Sequence, residues 1–232
     1  MKNTELPRVT IVSPFRQNGG AYVEAYFSRA YELTCPARLH WVCVEGDSDD
    51  DTLKTLRRRA AWDSRITIVK CDTGQPRYGS TVNPERFKIL ARVFNSGLDA
   101  VDLRWSDYAC FIPSDVLYQP DLIDRLASWD KGLIAPMFWA NEGGPGRFYD
   151  IWGFSRESKS FPPYTPAWFA ENYPSAAPFE CDTVGGVILM QAGVLAAGCR
   201  YTPEAVDHGL CWQARAAGFG VWCDPTTHVV HP

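Results

Sequence analysis

Apolar segments alternate with helical segments through the first half of this 232-residue chain, and that alternation restricts the fold more than any other feature. It is typical of a mostly parallel sheet with helices on both faces. A chain of this length suits one α/β domain, residues 1–232. The predicted strands cover residues 8–15, 39–45, 65–72 and 107–115, and the predicted helices cover residues 21–33, 51–62 and 85–101.

The second half begins with another predicted strand, residues 132–140, and then changes character. Residues 141–178 are rich in glycine, proline and aromatic side chains and show little periodicity. A loop of this length is more often functional than accidental. The sequence predicts that these residues form an irregular insert that shapes the acceptor site. The alternative is a surface loop with its own small aromatic cluster.

Bulk composition excludes several classes of protein. A net charge of −4 and a pI of about 5.6 give no general attraction to nucleic acid or to anionic membranes. No apolar segment resembles a secretory signal or a membrane anchor, so we expect a cytoplasmic protein. The eight cysteines form no CxxC pair, and Cys43, Cys110 and Cys223 lie in apolar runs, which favours buried hydrophobes over zinc ligands.

Two residues are candidate metal ligands. Asp115 follows the apolar run YACFIP at the carboxyl end of a predicted strand, where open α/β sheets bind their ligands. A carboxylate there can hold Mn²⁺ or Mg²⁺ against two phosphates, although it could equally be a turn or capping residue. His231, on the last strand-like run, can supply a neutral imidazole to the same ion.

Two acids are candidates for proton transfer. Asp207 precedes the helical pattern GLCWQARAAGF, so it is either a helix cap or a general base for an acceptor hydroxyl. Glu204 is the nearby competitor for the basic role. A further acid, Glu45, begins a loop that could hydrogen-bond a nucleotide base or ribose, whereas Asp49, Asp50 and Asp51 are predicted to be solvated.

Several motifs occur in a recognisable order. The segment FIPSD at 111–115 is followed by a predicted helix and a predicted strand. Next comes a Tyr-Asp-x-Trp element formed by Tyr149, Asp150 and Trp152. The segment DTVGGVILM then occupies 182–190, and DHGLCW precedes a terminal His. In this order the chain resembles the glycosyltransferases of the GT-A fold. More narrowly, it resembles the fungal Golgi α-mannosyltransferase family that includes the mannan polymerase subunits.

The resemblance implies a GT-A fold with a mostly parallel central sheet, a nucleotide-binding half at about 8–115 and an acceptor half at about 116–232. Asp115 and His231 match the metal ligands, and Asp207 matches the acidic residue before the Gly-Leu-Cys helix. The resemblance and the residue types together give two further sets. The donor set is Ser13, Pro14, Phe15, Glu45, Arg77, Arg86 and Asn95. The acceptor set is Tyr149, Asp150, Trp152, Gly185 and Gly186. Lys88 is a further candidate, beside Arg77 and Arg86, for binding the phosphates of the donor.

The implied function is metal-assisted transfer of a hexose from a GDP-sugar or UDP-sugar to an acceptor hydroxyl, with Mn²⁺ or Mg²⁺ as cofactor. The fungal family carries a membrane anchor that this sequence does not show, so the resemblance implies a bacterial or viral enzyme. Its acceptor is either a glycan or, in a viral setting, a hydroxymethylated nucleobase in DNA. The first Asp of the metal motif is replaced by Pro113, which motivates a non-catalytic sugar-binding or nucleotide-binding module as an alternative. A nucleotidyltransferase shares the sheet and the metal carboxylate, but SPFRQNGG is a poor phosphate loop.

Overall fold

The structure is a computed structural model that describes residues 7–34, 38–76, 78, 83–140 and 146–232. The predicted alternation in the first half is confirmed. It comprises β1 (Val9–Phe15), α1 (Gly20–Ala30), β2 (Leu39–Glu45), α2 (Thr52–Trp62), β3 (Ile66–Lys70), α3 (Pro84–Leu98) and β4 (Tyr108–Phe111). Strand β4 ends earlier than predicted, because Pro113 has no N–H to continue the ladder.

The second half adds shorter elements. They are β5 (Leu117–Tyr118), α4 (Leu122–Ser128), β6 (Leu133–Ala140), β7 (Arg147–Phe148), β8 (Ser155–Arg156), β9 (Lys159–Ser160), α5 (Pro166–Asn172), β10 (Phe179–Glu180), β11 (Ile188–Gln191), α6 (Ala192–Ala196), α7 (Asp207–Ala216) and β12 (Val221–His231). In the part of the chain that the structure describes, no helix is long and apolar enough to cross a membrane.

The central sheet has the strand order β10-β12-β6-β11-β4-β1-β2-β3. Strands β3, β2, β1 and β4 pair in parallel, as do β6 and β12. Strand β11 is antiparallel to both β4 and β6, so those two strands run in the same direction. The carboxyl ends of the six long strands that share this direction therefore meet at one edge of the sheet.

A hydrophobic core lies on each face of the sheet. On one face α3 approaches β1 and β2 closely at Gly97, where a β-carbon would overlap the side chains of Val12 and Val44. This contact places the amino-terminal part of α3 over the carboxyl edge. The three cysteines predicted to be buried hydrophobes, Cys43, Cys110 and Cys223, are indeed buried and free.

The insert predicted to be irregular contains more structure than its sequence indicates. Within 146–178 the chain forms α5 and the β8–β9 hairpin, and these elements enclose a small aromatic core. Phe148 lies 5.0 Å from Phe154 and 5.1 Å from Phe169, measured between ring centroids, and all three are buried. The elements are too short to show periodicity, and buried aromatic area stabilises them instead. Residues 141–145 lie outside the described residues.

Candidate active site

A cavity of about 740 Å³ opens at the carboxyl edge of the sheet. Helix α3 forms one wall, and the ends of β4 and β12 form the floor. The rest is built by three segments that we call the cavity segments, residues 112–115, 149–153 and 204–208. The polar side chains that line it are Arg86, Asp115, Asp150, Glu204, Asp207, His208 and His231.

Both candidate metal ligands lie in this cavity. The Asp115 carboxylate, just beyond β4, is 3.5 Å from Nε2 of His231 at the end of β12. The Tyr149 ring is stacked on the imidazole of His231 at 4.3 Å and fixes its plane. His228, three residues earlier on β12, faces away from the pair and accepts a hydrogen bond from Nε1 of Trp139 at 2.8 Å.

The chemistry of this pair fits a divalent cation. One carboxylate and one imidazole suit Mn²⁺ better than Mg²⁺, which prefers oxygen ligands. Among the described residues, no group of three or more His, Cys, Asp or Glu side chains could hold a metal by itself. A cation bound by Asp115 and His231 therefore needs further ligands from a substrate or from water, as a metal that binds phosphates does.

Asp150 is held by a cluster of three glycines. Its carboxylate accepts a hydrogen bond from the Gly153 N–H at 3.0 Å. A β-carbon at Gly153 or Gly185 would overlap the carboxylate, and one at Gly186 would overlap the Phe138 ring. Gly186 also has a φ of 65°, which disfavours side chains. Gly186 lines the cavity, whereas Gly185 supports it from behind Asp150.

Asp207 begins α7 directly after a strained residue. Val206 has φ 40° and ψ −106°, a backbone conformation that β-branched residues rarely adopt, and it is buried in the core. Such strain persists only where the surrounding packing determines it. The result is that Asp207 points into the cavity, with the exposed Glu204 beside it at the rim.

The carboxyls of Asp150 and Asp207, which we call the inner carboxyls, both have shifted pKa values. Burial raises the pKa of Asp150 above its usual value. Burial and the negative charge of Asp150 raise the pKa of Asp207 still further. Neither carboxylate has a cationic partner among the residues that the structure describes, so removal of both protons is costly.

Aromatic side chains form the rim of the cavity. Trp152 is 64% exposed, Trp212 55% and Tyr149 43%, which are high values for such side chains. Nε2 of His208 is 2.6 Å from the Trp152 carbonyl oxygen, and the His208 ring lies 5.7 Å from that of Trp212. These contacts connect the start of α7 to the Asp150 segment.

The wall on α3 combines one cation with an apolar face. Arg86 lines the cavity beside Phe87, Leu90 and Phe94, which are spaced as one face of a helix. Arg86 makes no ion pair with any residue in the described ranges. Lys88 instead pairs with Glu85 at 2.7 Å. Arg77, the other predicted phosphate clamp, lies outside the described residues.

The predicted donor residues on β1 lie outside the cavity. The buried Ser13 hydroxyl is 2.8 Å from the Tyr26 hydroxyl and donates to the Ile112 carbonyl at 2.7 Å. Phe15 is buried against the edge of the Tyr26 ring. Pro14 pairs opposite β2 in the parallel ladder. The structure thus shows these side chains, apart from Pro14, packed within the protein.

Glu45 and Asn95 also contact other parts of the protein and do not line the cavity. Glu45 is fully buried at the end of β2, with its carboxylate 2.8 Å from Nζ of Lys70. Asn95 exchanges two hydrogen bonds of 2.9 Å with the backbone of Tyr201. That exchange connects α3 to the segment that precedes α7, so Asn95 shapes the cavity without entering it.

Sequence reasoning missed His208, Trp212 and the apolar face of α3. His208 and Trp212 are spaced i, i+4 and follow Asp207 directly, so a helical projection would have placed them beside it. The face formed by Phe87, Leu90 and Phe94 is readable in the same way. Of four aromatic residues in the insert, Tyr149 and Trp152 line the cavity, whereas Tyr164 and Trp168 lie against each other with ring centroids 4.8 Å apart.

No protein-family model matches the chain. No curated protein matches its sequence. Solved structures do resemble it. The mannosyltransferase PcManGT from Pyrobaculum calidifontis, in complex with GDP-Man and Mn²⁺, superposes with a TM-score of 0.62 at 17% identity, over 98% of this chain and 57% of that one.

Two other solved structures are similar in fold. GalNAc-T7 with UDP, GalNAc and Mn²⁺ has a TM-score of 0.69 at 13% identity, over 99% of this chain and 44% of that one. TarS from S. aureus in complex with UDP-GlcNAc has a TM-score of 0.60 at 10% identity, over 97% of this chain and 59% of that one. The chain thus spans about half the length of these proteins. Its α/β architecture, with a mostly parallel central sheet flanked by helices, is the GT-A glycosyltransferase fold.

Proposed function

We propose that the chain is a glycosyltransferase that moves a hexose from a nucleoside-diphosphate sugar, with GDP or UDP as the nucleotide, to an acceptor hydroxyl. One observation carries the proposal: the Asp115–His231 pair and the inner carboxyls of Asp150 and Asp207 face one cavity at the carboxyl edge of a GT-A sheet. Residues 8–115 then form the donor half, and residues 116–232 form the acceptor half.

Donor binding relies on Asp115, His231 and Arg86. The first two would hold Mn²⁺, which when bound supplies positive charge to offset the leaving diphosphate. Arg86 has no competing carboxylate among the described residues, so its guanidinium is available to a phosphate oxygen. Ser13, Pro14, Phe15, Glu45, Asn95 and Arg77 remain proposed donor residues, and the packing of Glu45 and Asn95 favours a supporting role for these two.

Acceptor binding relies on the rim and on Asp207. Tyr149 and Trp152 offer apolar faces on which a sugar ring can stack, and Gly186 keeps the wall beside Asp150 open to the acceptor. Asp207 takes the proton from the acceptor hydroxyl, and Glu204 is the fallback base. The acceptor oxygen forms its bond to the anomeric carbon, whose bond to the diphosphate breaks with the electron pair left on the diphosphate.

The charge of the cavity favours a carbohydrate acceptor over DNA. Among the described residues, four carboxyl groups line the cavity, those of Asp115, Asp150, Glu204 and Asp207, and Arg86 is the single fixed cation. A phosphodiester backbone would be repelled there, and neutralisation of phosphates by cations dominates DNA affinity. A glycan hydroxyl carries no such charge.

Donor binding tests the proposal directly. Calorimetry with GDP-sugars and UDP-sugars should show tight binding in Mn²⁺ and at least tenfold weaker binding after Asp115→Ala, because the cation loses one of its two protein ligands. Asp121→Ala removes another exposed acid six residues away and is the matched control. If the wild type binds no nucleotide sugar, or if Mn²⁺ makes no difference to its affinity, the proposal fails.

A further inference from the structure

One side of the cavity is an apolar surface that the polar groups of the site do not use. Phe87, Leu90 and Phe94 are spaced three and four residues apart on α3, so their side chains share one helix face, which we call the apolar wall. All three line the cavity and are only half-buried. Arg86, at the outer end, is the only charged side chain that the described part of α3 adds to the cavity. Apolar linings of this kind are typical of pockets that bind a ligand with an apolar part.

The apolar wall is closed at its inner end. The Phe94 ring lies 4.4 Å from the Phe111 ring and 5.1 Å from the Tyr201 ring, measured between centroids. Phe111 and Tyr201 are both buried in the core. At 1.5 Å of rise per residue, the wall from Phe87 to Phe94 is about 10 Å long. It therefore suits a compact apolar group and offers no path for a long chain.

The apolar wall borders the segment that carries the proposed base. Asn95 exchanges two hydrogen bonds of 2.9 Å with the backbone of Tyr201, which fixes α3 against this segment. From Tyr201 the chain continues through Glu204 and Val206, which line the cavity, to Asp207. A general base must contact the acceptor hydroxyl. The molecule that meets the apolar wall on this side is therefore the acceptor.

The rim supplies a separate place for a sugar ring. Trp152 is 64% exposed and Trp212 is 55% exposed, and both line the cavity. Trp152 belongs to the insert and Trp212 to α7, so aromatic faces stand on two sides of the opening. A sugar that stacks on these rings leaves the apolar wall for a second part of the same acceptor, one without charge.

We propose that the acceptor is a glycoside whose sugar carries a compact apolar aglycone, an aryl or short alkyl group, and that this aglycone binds on the apolar wall. The inference rests on the proposed function and names its acceptor class. The sugar supplies the hydroxyl that Asp207 deprotonates, and the aglycone lies against Leu90 and Phe94. The aglycone takes no part in the transfer step and contributes binding and selectivity.

The first experiment measures glycoside affinity by calorimetry with the wild-type chain, Mn²⁺ and either GDP or UDP. The probes are methyl, butyl, hexyl, octyl and phenyl glycosides of glucose, galactose, mannose and N-acetylglucosamine. Burial contributes up to about fourfold in affinity for each CH₂ group, so the butyl and phenyl glycosides of the preferred sugar should bind at least tenfold more tightly than its methyl glycoside. The step from hexyl to octyl should add less than twofold, because the wall is closed.

Two results of this titration would overturn the inference. Equal binding of methyl and butyl glycosides, or no binding of either, would show that the apolar wall holds no aglycone. An affinity that keeps rising at the same rate through octyl would identify an open-ended lipid chain as the occupant in place of a compact group.

The second experiment uses two isomeric side chains that are neighbours on α3. Leu90→Ala should reduce the preference for butyl over methyl by at least threefold, because the wall loses part of its surface. Ile89→Ala is the matched control, since Ile89 is equally half-buried but lies outside the cavity lining, and it should keep the preference. If Leu90→Ala weakens nucleotide-sugar binding and leaves the butyl preference intact, the wall belongs to the donor and the inference fails.

The failure of the inference can be told apart from failure of the proposed function. Donor calorimetry uses no acceptor and decides the proposed function by itself. The glycoside titration is repeated without Mn²⁺ and nucleotide. A butyl preference in a chain that binds no donor would support the apolar wall as a glycoside site while the proposed transfer fails. Donor binding without any butyl preference would overturn the inference alone.

Discussion

Asp50 and Asp150 lie near the same edge of one sheet, yet their carboxylates have opposite surroundings. Asp50 accepts hydrogen bonds from the backbone N–H groups of Thr52 and Gly19, each at 2.9 Å. The Thr52 hydroxyl and these N–H groups lower the pKa of Asp50. Asp150 accepts one backbone N–H, and burial raises its pKa.

The same contrast extends to whole regions. Residues 16–19, 46–51 and 71–76 form the loops after β1, β2 and β3. There Asp47 accepts a hydrogen bond from the backbone N–H of Gly74, and Asp51 accepts one from the backbone N–H of Gly20 at the start of α1. Asp150 and Asp207 in the cavity segments lack such a supply of donors. An acid that is surrounded by donors stabilises the fold. A half-buried acid without them costs stability, and sites with perturbed acidities of this kind are candidates for function.

The largest expected effect distinguishes a base from a helix cap at Asp207. Asp207→Asn should lower the transfer rate by about 10²–10⁴-fold, because the amide cannot take the acceptor proton. Donor affinity should stay within twofold of the wild type, as measured by calorimetry. If the variant keeps its rate and instead melts at a lower temperature, Asp207 is a cap like the acids of the first loops, and Glu204→Gln becomes the next variant to assay.

A smaller effect on stability is expected at Glu45, on the other side of the comparison. Glu45→Gln should lower the free energy of unfolding by about 1–3 kcal/mol in denaturant titrations, because the buried carboxylate loses its ion pair with Lys70. The partly exposed Lys70 limits the loss. A variant that unfolds normally but binds the nucleotide sugar weakly would show that Glu45 contacts the donor, as the resemblance implies.

A more modest change is expected at the rim. Trp152→Ala should raise the acceptor KM by about threefold to tenfold, because a stacked ring loses its aromatic partner, while hydrolysis of the donor is unaffected. Trp168→Ala truncates a second tryptophan of the same insert, one that does not line the cavity, and serves as the control. Equal acceptor kinetics in the two variants would mean that Trp152 is not part of the acceptor site.

The smallest effect concerns pH. The folded-state pKa of Asp50 lies below its usual 3.8, so its contribution to stability is present above about pH 4 and is lost on acidification. The wild type should therefore melt above Asp50→Asn at pH 7, and the gap should close as the pH falls towards 3. A gap that widens on acidification would remove the contrast with Asp150, whose amide variant should gain stability at high pH.

Much of the first half could be predicted, because each strand is a continuous apolar run and each helix has a clear period. The same reasoning located Asp115 and His231, since residues at the carboxyl ends of parallel strands meet at one edge. It could not foresee the contacts of Ser13, Glu45 and Asn95, which depend on partners up to about a hundred residues away in the chain.

The structure of the second half is harder to predict from the sequence, for a different reason. Elements such as β8, β9 and α5 are too short for periodicity to reveal them. The strain at Val206 could not be read at all, because a β-branched residue gives no signal for a positive φ. The i, i+4 spacing of His208 and Trp212 predicts a shared helix face but does not indicate that this face lines a cavity.

The reversed direction of β11 has a consequence for how this protein can change. Because β11 is antiparallel to β6, the segment between Ala140 and Ile188 starts and ends at the carboxyl edge of the sheet. This segment includes Asp150 and Trp152, and we call it the cassette; it is also joined to the sheet through β7 on β6 and β10 on β12. Exchanging this cassette between related chains should alter acceptor choice while leaving the ladder from β1 to β4 intact.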